Sequence, residues 1–224
     1  MADATLRPEY ISFDCYGTLI NFNIVPATRQ LLAGRIPEEQ MQQFLRDFRA
    51  YRYDQVCGDY YGYQQVLQDA FDRVCRKWEL ARSDDAGARF AEAVLGWGPH
   101  ADVPAALSIM GENYKLVVLS NADTSFLDVS VPKLGAAFHA VYSAEQAGAY
   151  KPRYQAFEYM LDQLDAVPEQ FLHVSSHTRY DLMPAHDLGF TNTVLLDRGY
   201  DPPGPGYNYA TVRSLEELNR ILGL

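Results

Sequence analysis

The sequence predicts an α/β fold, a doubly wound and mostly parallel sheet with a block of helices inserted after its first strand. Three observations carry this. Short apolar runs recur, at Tyr10 to Phe13, Tyr114 to Leu119 and Gln170 to Val174, and each stops at polar residues, as buried parallel strands do at a sheet's carboxyl edge. Helical stretches separate the later runs. Residues 38–96 carry helix signals with no comparable strand pattern among them. A chain of 224 residues holds one such domain plus a modest insertion.

The first run, Tyr10-Ile11-Ser12-Phe13, puts Asp14 at a strand's carboxyl end, where open α/β sheets bind ligands. A carboxylate there serves as nucleophile, metal ligand or base, or simply as a helix cap or turn residue. A polar, Pro-containing passage then runs to about Arg35. Pro37-Glu38-Glu39 starts the helical block, with helices expected over 38–56, 62–80 and 84–96, parted at Gly58-Asp59 and Ser83-Asp84. The first is dense in cations and aromatics: Arg46, Phe48, Arg49, Tyr51, Arg52 and Tyr53. Tyr60, Tyr61 and Tyr63 suit a pocket wall, a helical core or a dimer surface equally.

Gly96-Trp97-Gly98-Pro99 ends that block, and a helix near 102–113 leads into the second strand. Ser120 and Asn121 at its tip can donate hydrogen bonds to an anion or cap a helix starting near Thr124. Phe138 to Tyr142 is the next strand. Pro152 opens a helix to about Leu164 and keeps Lys151 extended. Gln170 to Ser176 is a strand in which His173 reads as core, followed by His177 to Asp181 and a helix through Leu188. Thr193 to Leu196 is the last strand expected, Gly199 to Gly206 a loop, and a short helix starts at Ser214.

The formal charge of -10 excludes a nucleic-acid binder, which needs a basic face. It also means that any anionic substrate must be held by a few local cations. No apolar run is long enough to span a membrane, and Met1 to Thr5 lack a basic segment followed by an apolar one, so a cytoplasmic protein is expected. Cys15, Cys57 and Cys75 are odd in number and lack CxxC spacing, which suits free thiols rather than zinc or disulfides.

Asp14-x-Tyr16-Gly17-Thr18, followed by Leu19, resembles the first signature of the haloacid dehalogenase superfamily, whose aspartate attacks substrate and becomes a covalent ester. Most phosphatases of that superfamily carry a second acid two residues on. Tyr16 stands there, and a phenol with a pKa of about 10 replaces that acid poorly. Ser120-Asn121 resembles the second motif, Lys151-Pro152 the third, and Ser175-Ser176 with Asp181 the fourth, with His177 where better-known dehalogenases have Asn.

The resemblance implies a superfamily core over 1–20 and 96–224 with a helical cap over 21–95. It further implies a 2-haloacid dehalogenase that displaces halide from C2 of a small 2-haloalkanoic acid and yields the 2-hydroxy acid. In that scheme Asp14 is the nucleophile, Lys151 balances charge, and Asp181 activates water, with His177 as partner base or as the residue orienting Asp181. Arg49, then Arg52, receives the leaving group. Cys15, Tyr16, Thr18, Ser120, Asn121, Ser175 and Ser176 bind substrate. No metal or other cofactor is required, since only Asp14 and Asp181 remain as carboxylates for a magnesium ion that prefers octahedral oxygen coordination. The resemblance also implies a homodimer, with no nucleic-acid or membrane partner. The rivals are opening of a strained ring such as azetidine-2-carboxylate, a Mg²⁺-dependent phosphatase, and a non-catalytic dimeric binding protein.

Overall fold

The structure, a computed structural model, describes residues 8–201, 204 and 206–224. The Met1 to Thr5 passage and Pro202, Pro203 and Pro205 of the expected loop lie outside the described residues. Two compact units emerge. One comprises the chain up to Asn21 together with Gly98–Leu224, the other Phe22–Trp97.

The first unit is built on six strands: β1 Tyr10–Phe13, β2 Lys115–Ser120, β3 Ala140–Ser143, β4 Phe171–Ser175, β5 Asn192–Leu196 and β6 Ala210–Val212. They lie in the order β3-β2-β1-β4-β5-β6 and every neighbouring pair is parallel. β1 is therefore central, and all four of its residues are buried. Its register on β4 sets Ser12 beside His173 and Phe13 beside Val174. Leu116 to Leu119 and Phe171 to Val174 are buried as well, as strands covered on both faces must be.

β6 corrects the expectation that Thr193 to Leu196 would be the last strand. Ala210-Thr211-Val212 is too short to show alternation, and it becomes a strand only by pairing with Leu196 and its neighbours on β5. Two boundaries also move. β3 begins at Ala140, and the helix after Lys151-Pro152 begins at Tyr154 rather than at the proline, with Arg153 extended before it.

In the second unit the helices Met41–Val56, Tyr63–Lys77 and Ala86–Gly96 follow the expected block. A further helix, Val25–Leu31, occupies the passage read as irregular; Pro26 sits in its first turn, where a missing N–H costs nothing. Phe44, Phe48, Phe71 and Phe90 are fully buried and pack ring to ring at 5.1–5.9 Å. Gly87 lets two helices approach: a Cβ there would come within 2.6 Å of the Gln64 carbonyl, and its N–H is taken by the Gln68 side chain.

Candidate active site

The tips of β1, β2 and β4 converge in the first unit. Asp14 continues the β1–β4 ladder, its N–H donating to the Val174 carbonyl at 3.1 Å, so its side chain leaves the sheet edge in a defined direction. The turn after it is tight. Gly17 has a φ of 100°, the left-handed region, and any side chain there would come within 2.6 Å of His177 Nε2. Thr18 Oγ1 donates to Asp14 Oδ2 at 2.7 Å and accepts from Ser176 N at 2.9 Å, tying the tip of β4 to the turn. Outside the turn, Arg198 Nε reaches the Thr18 carbonyl at 3.4 Å while pairing with Asp102, and His100 Nε2 lies 3.2 Å from the Gly17 carbonyl.

Lys151 is the hub. Its side chain is 1% exposed, and Nζ contacts Asp14 Oδ1 at 3.0 Å, Asp181 Oδ1 at 2.7 Å and the Leu119 carbonyl at 2.7 Å, which uses all three ammonium protons. Burial pushes the lysine's pKa down, but the two carboxylates outweigh it and the net shift is upward. Asn121 holds the backbone of this residue on both sides: its Oδ1 accepts from Lys151 N at 2.7 Å and its Nδ2 donates to Lys151 O at 2.8 Å.

Asp181, fully buried, comes from a π-helical turn, Thr178–Leu182. Oδ1 meets Lys151 and, at 3.1 Å, His173 Nε2; Oδ2 accepts from Ser175 Oγ at 2.9 Å. Burial raises this carboxyl's pKa, yet the Lys151 charge and the His173 contact overcome that and hold it well below the usual range. Ser175 in turn accepts from His177 N at 3.0 Å.

The two histidines after β4's start have different partners. His173, read as core, is buried but bonded to Asp181 and to Ser12 Oγ, 2.9 Å from its Nδ1. His177 Nε2 lies 3.3 Å from the Tyr16 carbonyl, its Nδ1 is 3.7 Å from Asp201, and Tyr180 and Tyr200 stand at 5.5 Å. Burial pushes the His177 pKa down, but Asp201 and the charges of Asp14 and Asp181 raise it overall. Asp201 also accepts from Thr178 N at 3.1 Å, so it caps the π-helical turn.

Ser120 Oγ is buried with no hydrogen-bond partner among the described residues, a donor left over at the tip of β2. Tyr16 points its phenol to Ser130 Oγ at 2.8 Å and the Phe126 carbonyl at 3.1 Å. Cys15, expected to bind substrate, is fully enclosed and its side chain has no surface to offer, and burial, with the Asp14 charge, pushes its thiol far up.

Arg49 and Arg52 both lie on the helix Met41–Val56 of the second unit. Arg49 is exposed. Arg52 is half-buried, its guanidinium 4.9 Å from the Phe22 ring centre and 5.1 Å from that of Phe48, with Nε buried and unpartnered among the described residues. Tyr63 packs on the helical core and Tyr61 donates to Asp69.

Asp14 and Asp181 both face the Lys151 ammonium, and no group of three or more His, Cys, Asp or Glu among the described residues is placed to hold a metal ion. The absence of a carboxylate at Tyr16 removes a further oxygen ligand.

Sequence reasoning missed Ser12, His173 and Asp201. For the first two a signal existed: each is the polar interruption of a buried apolar strand, and such groups are bonded to something. Asp201 offered none, because its partners are reached only through the loop's path.

A family model for haloacid dehalogenase-like hydrolases matches residues 9–189. Among curated proteins, (S)-2-haloacid dehalogenase H-109 of Pseudomonas putida is 26% identical over 81% of this chain and 83% of its own length. (S)-2-haloacid dehalogenase 4A of Burkholderia cepacia is 25% identical over 94% of this chain and 93% of its own. Among solved structures, L-2-haloacid dehalogenase from Xanthobacter autotrophicus with chloropropionic acid covalently bound superposes with a TM-score of 0.74 at 21% identity, covering 96% of this chain and 98% of that one. Among the described residues no helix is long and apolar enough to cross a membrane.

Proposed function

Because this chain belongs to the haloacid dehalogenase-like hydrolase family, we propose that it displaces halide from C2 of a small 2-haloalkanoic acid through an ester on Asp14. The observation that carries this reading is the state of residue 16. Phosphoryl transfer by this route wants an acid beside the nucleophile, and here a phenol is turned to Ser130 and the Phe126 carbonyl. Displacement at carbon needs no such acid, because halide leaves without a proton.

In the first step an Asp14 oxygen attacks C2 while the carbon–halogen bond breaks and halide leaves with the electron pair. Lys151, bonded to Asp14, steadies the carboxylate before attack and its charge balance after it. The free Ser120 hydroxyl is a donor for the substrate carboxylate; Asn121 contributes by fixing Lys151. In the second step water adds to the ester carbonyl, the 2-hydroxy acid departs and Asp14 is restored. Three lone-pair positions of Asp181 are occupied, and the remaining one on Oδ2 is where the water's proton is received before it passes to solvent. In this reading the helical unit Phe22–Trp97 is the cap, and the arginines considered for the halide, Arg49 first and Arg52 second, both lie on its helix Met41–Val56.

The test is halide release from chloroacetate and from each enantiomer of 2-chloropropionate, with EDTA present. Release by the wild type and none by Asp14→Asn is expected; substantial turnover by that variant would sink the scheme.

A further inference from the structure

The displacement leaves two buried polar side chains unused, Ser12 and His173. Both are fully buried, and they face one another across the paired strands β1 and β4. Polar groups do not occupy the middle of a sheet without a partner, since an unsatisfied one costs about 1–3 kcal/mol. Here the partners form a line: Ser12 Oγ to His173 Nδ1 at 2.9 Å, His173 Nε2 to Asp181 Oδ1 at 3.1 Å, then Lys151 and Asp14. An ionised carboxylate only accepts, so Nε2 carries a proton, and in the neutral ring Nδ1 then accepts from Ser12.

We propose that His173, with Ser12 fixing its tautomer, is a positioning residue that sets the Asp181 carboxylate and, through it, the Lys151 ammonium. The proposal rests on the reading of Asp14 as nucleophile. Terminal carboxylate torsions are soft, and Asp181 is kept from turning by three donors: Lys151 and His173 share Oδ1, and Ser175 holds Oδ2. Lys151 has no proton left over, so a rotation of Asp181 changes one of the three bonds that hold Nζ against Asp14. The surroundings of the ring are otherwise apolar: Phe157 and Phe190 lie 5.6 and 6.0 Å from it. Packing alone would be served by a phenylalanine, which makes the imidazole's polarity the feature to explain.

The experiment compares His173→Phe and His173→Gln with the wild type, with thermal unfolding as a check on folding. Phenylalanine keeps the packing and removes the donor; glutamine returns an N–H near the Nε2 position. Expected for His173→Phe is a kcat about ten- to a hundredfold lower with KM nearly unchanged, and an acid limb of the kcat profile moved upward, because Asp181 loses a donor to its charged form. His173→Gln should recover most of both. A folded His173→Phe with wild-type kcat and acid limb overturns the proposal, as does an equal loss in both variants. A readout independent of turnover is the ¹⁵N spectrum of the imidazoles: the Nε2–H tautomer is expected for His173 and a mixture in Ser12→Ala, and an Nδ1–H tautomer in the wild type overturns it. If no haloacid is turned over, the functional reading fails by itself, while the tautomer and an upward shift of the Asp181 carboxyl titration in His173→Phe still decide the role of His173.

Discussion

Lys151 in the sheet unit is a cation withdrawn from water and Arg52 in the helical unit is a half-buried one, and they are held by opposite means. Lys151 is enclosed, with every proton given to a named oxygen and two carboxylates answering its charge. Arg52 lies over the faces of Phe22 and Phe48 and keeps a buried N–H in reserve. The first arrangement costs desolvation and returns it only through exact pairing, so it fixes geometry. The second draws on ring quadrupoles, which hold a charge near a place without consuming its donors. The first suits a group that must be held in one place, and the second leaves donors available.

The comparison breaks hardest at Lys151. Lys151→Met leaves Asp14 and Asp181 without their shared cation, and a loss of about 3–5 kcal/mol in unfolding free energy is expected, with halide release abolished. The pH dependence should reverse. In the wild type Asp181's depressed pKa contributes stability that is present above its unfolded value of about 3.9 and lost as pH falls through the lower folded value. Without the lysine that folded value rises, and the variant should gain stability on mild acidification. Urea unfolding across acid pH reads both signs.

In the helical unit the comparable disruption is apolar. Phe71→Ala removes a ring that touches Phe44, Phe48 and Phe90, and a cost of about 3–5 kcal/mol is expected. Its pH dependence should match the wild type, since no ionisable group is uncovered. Hydrogen exchange should show the loss concentrated in Phe22–Trp97, and a loss spread evenly over the sheet would contradict the division into two units.

The smallest effect sharpens the contrast between the two histidines. His177 has a raised pKa because Asp201 and the site's carboxylates outweigh its burial, so its contribution is complete below the unfolded value of about 6.5 and disappears as pH rises through the folded one. Asp201→Asn should lower the His177 titration seen by NMR and flatten the decline in stability above that point. The His173 signals should not move.

The parallel sheet and its helical insertion were legible in the sequence from apolar runs of strand length, polar residues at their ends and a block of helix signals, whereas the meeting of Asp14, Lys151 and Asp181 was implied only by the resemblance of their motifs to those of the haloacid dehalogenase superfamily. The helix Val25–Leu31 and β6 were not legible, one because Pro26 looks like a breaker until it sits in a first turn, the other because three residues carry no period. The place of Arg52 over the Phe22 and Phe48 rings was hidden as well, since two arginines three apart on a helix look alike in the sequence.

The sequence by itself determined which chemical groups stand at the carboxyl edge of the sheet, because strand ends and the turns after them are set by residues adjacent in the chain. Only the tertiary structure decided who serves whom among them. Asp181 meets His173 Nε2 while His177 lies against the Tyr16 carbonyl and Asp201, and Ser12 reaches His173 across 161 positions of sequence because β1 and β4 pair in one register. Strand register depends on every side chain on both faces of a sheet, and a shift of one residue would turn Ser12 away from His173.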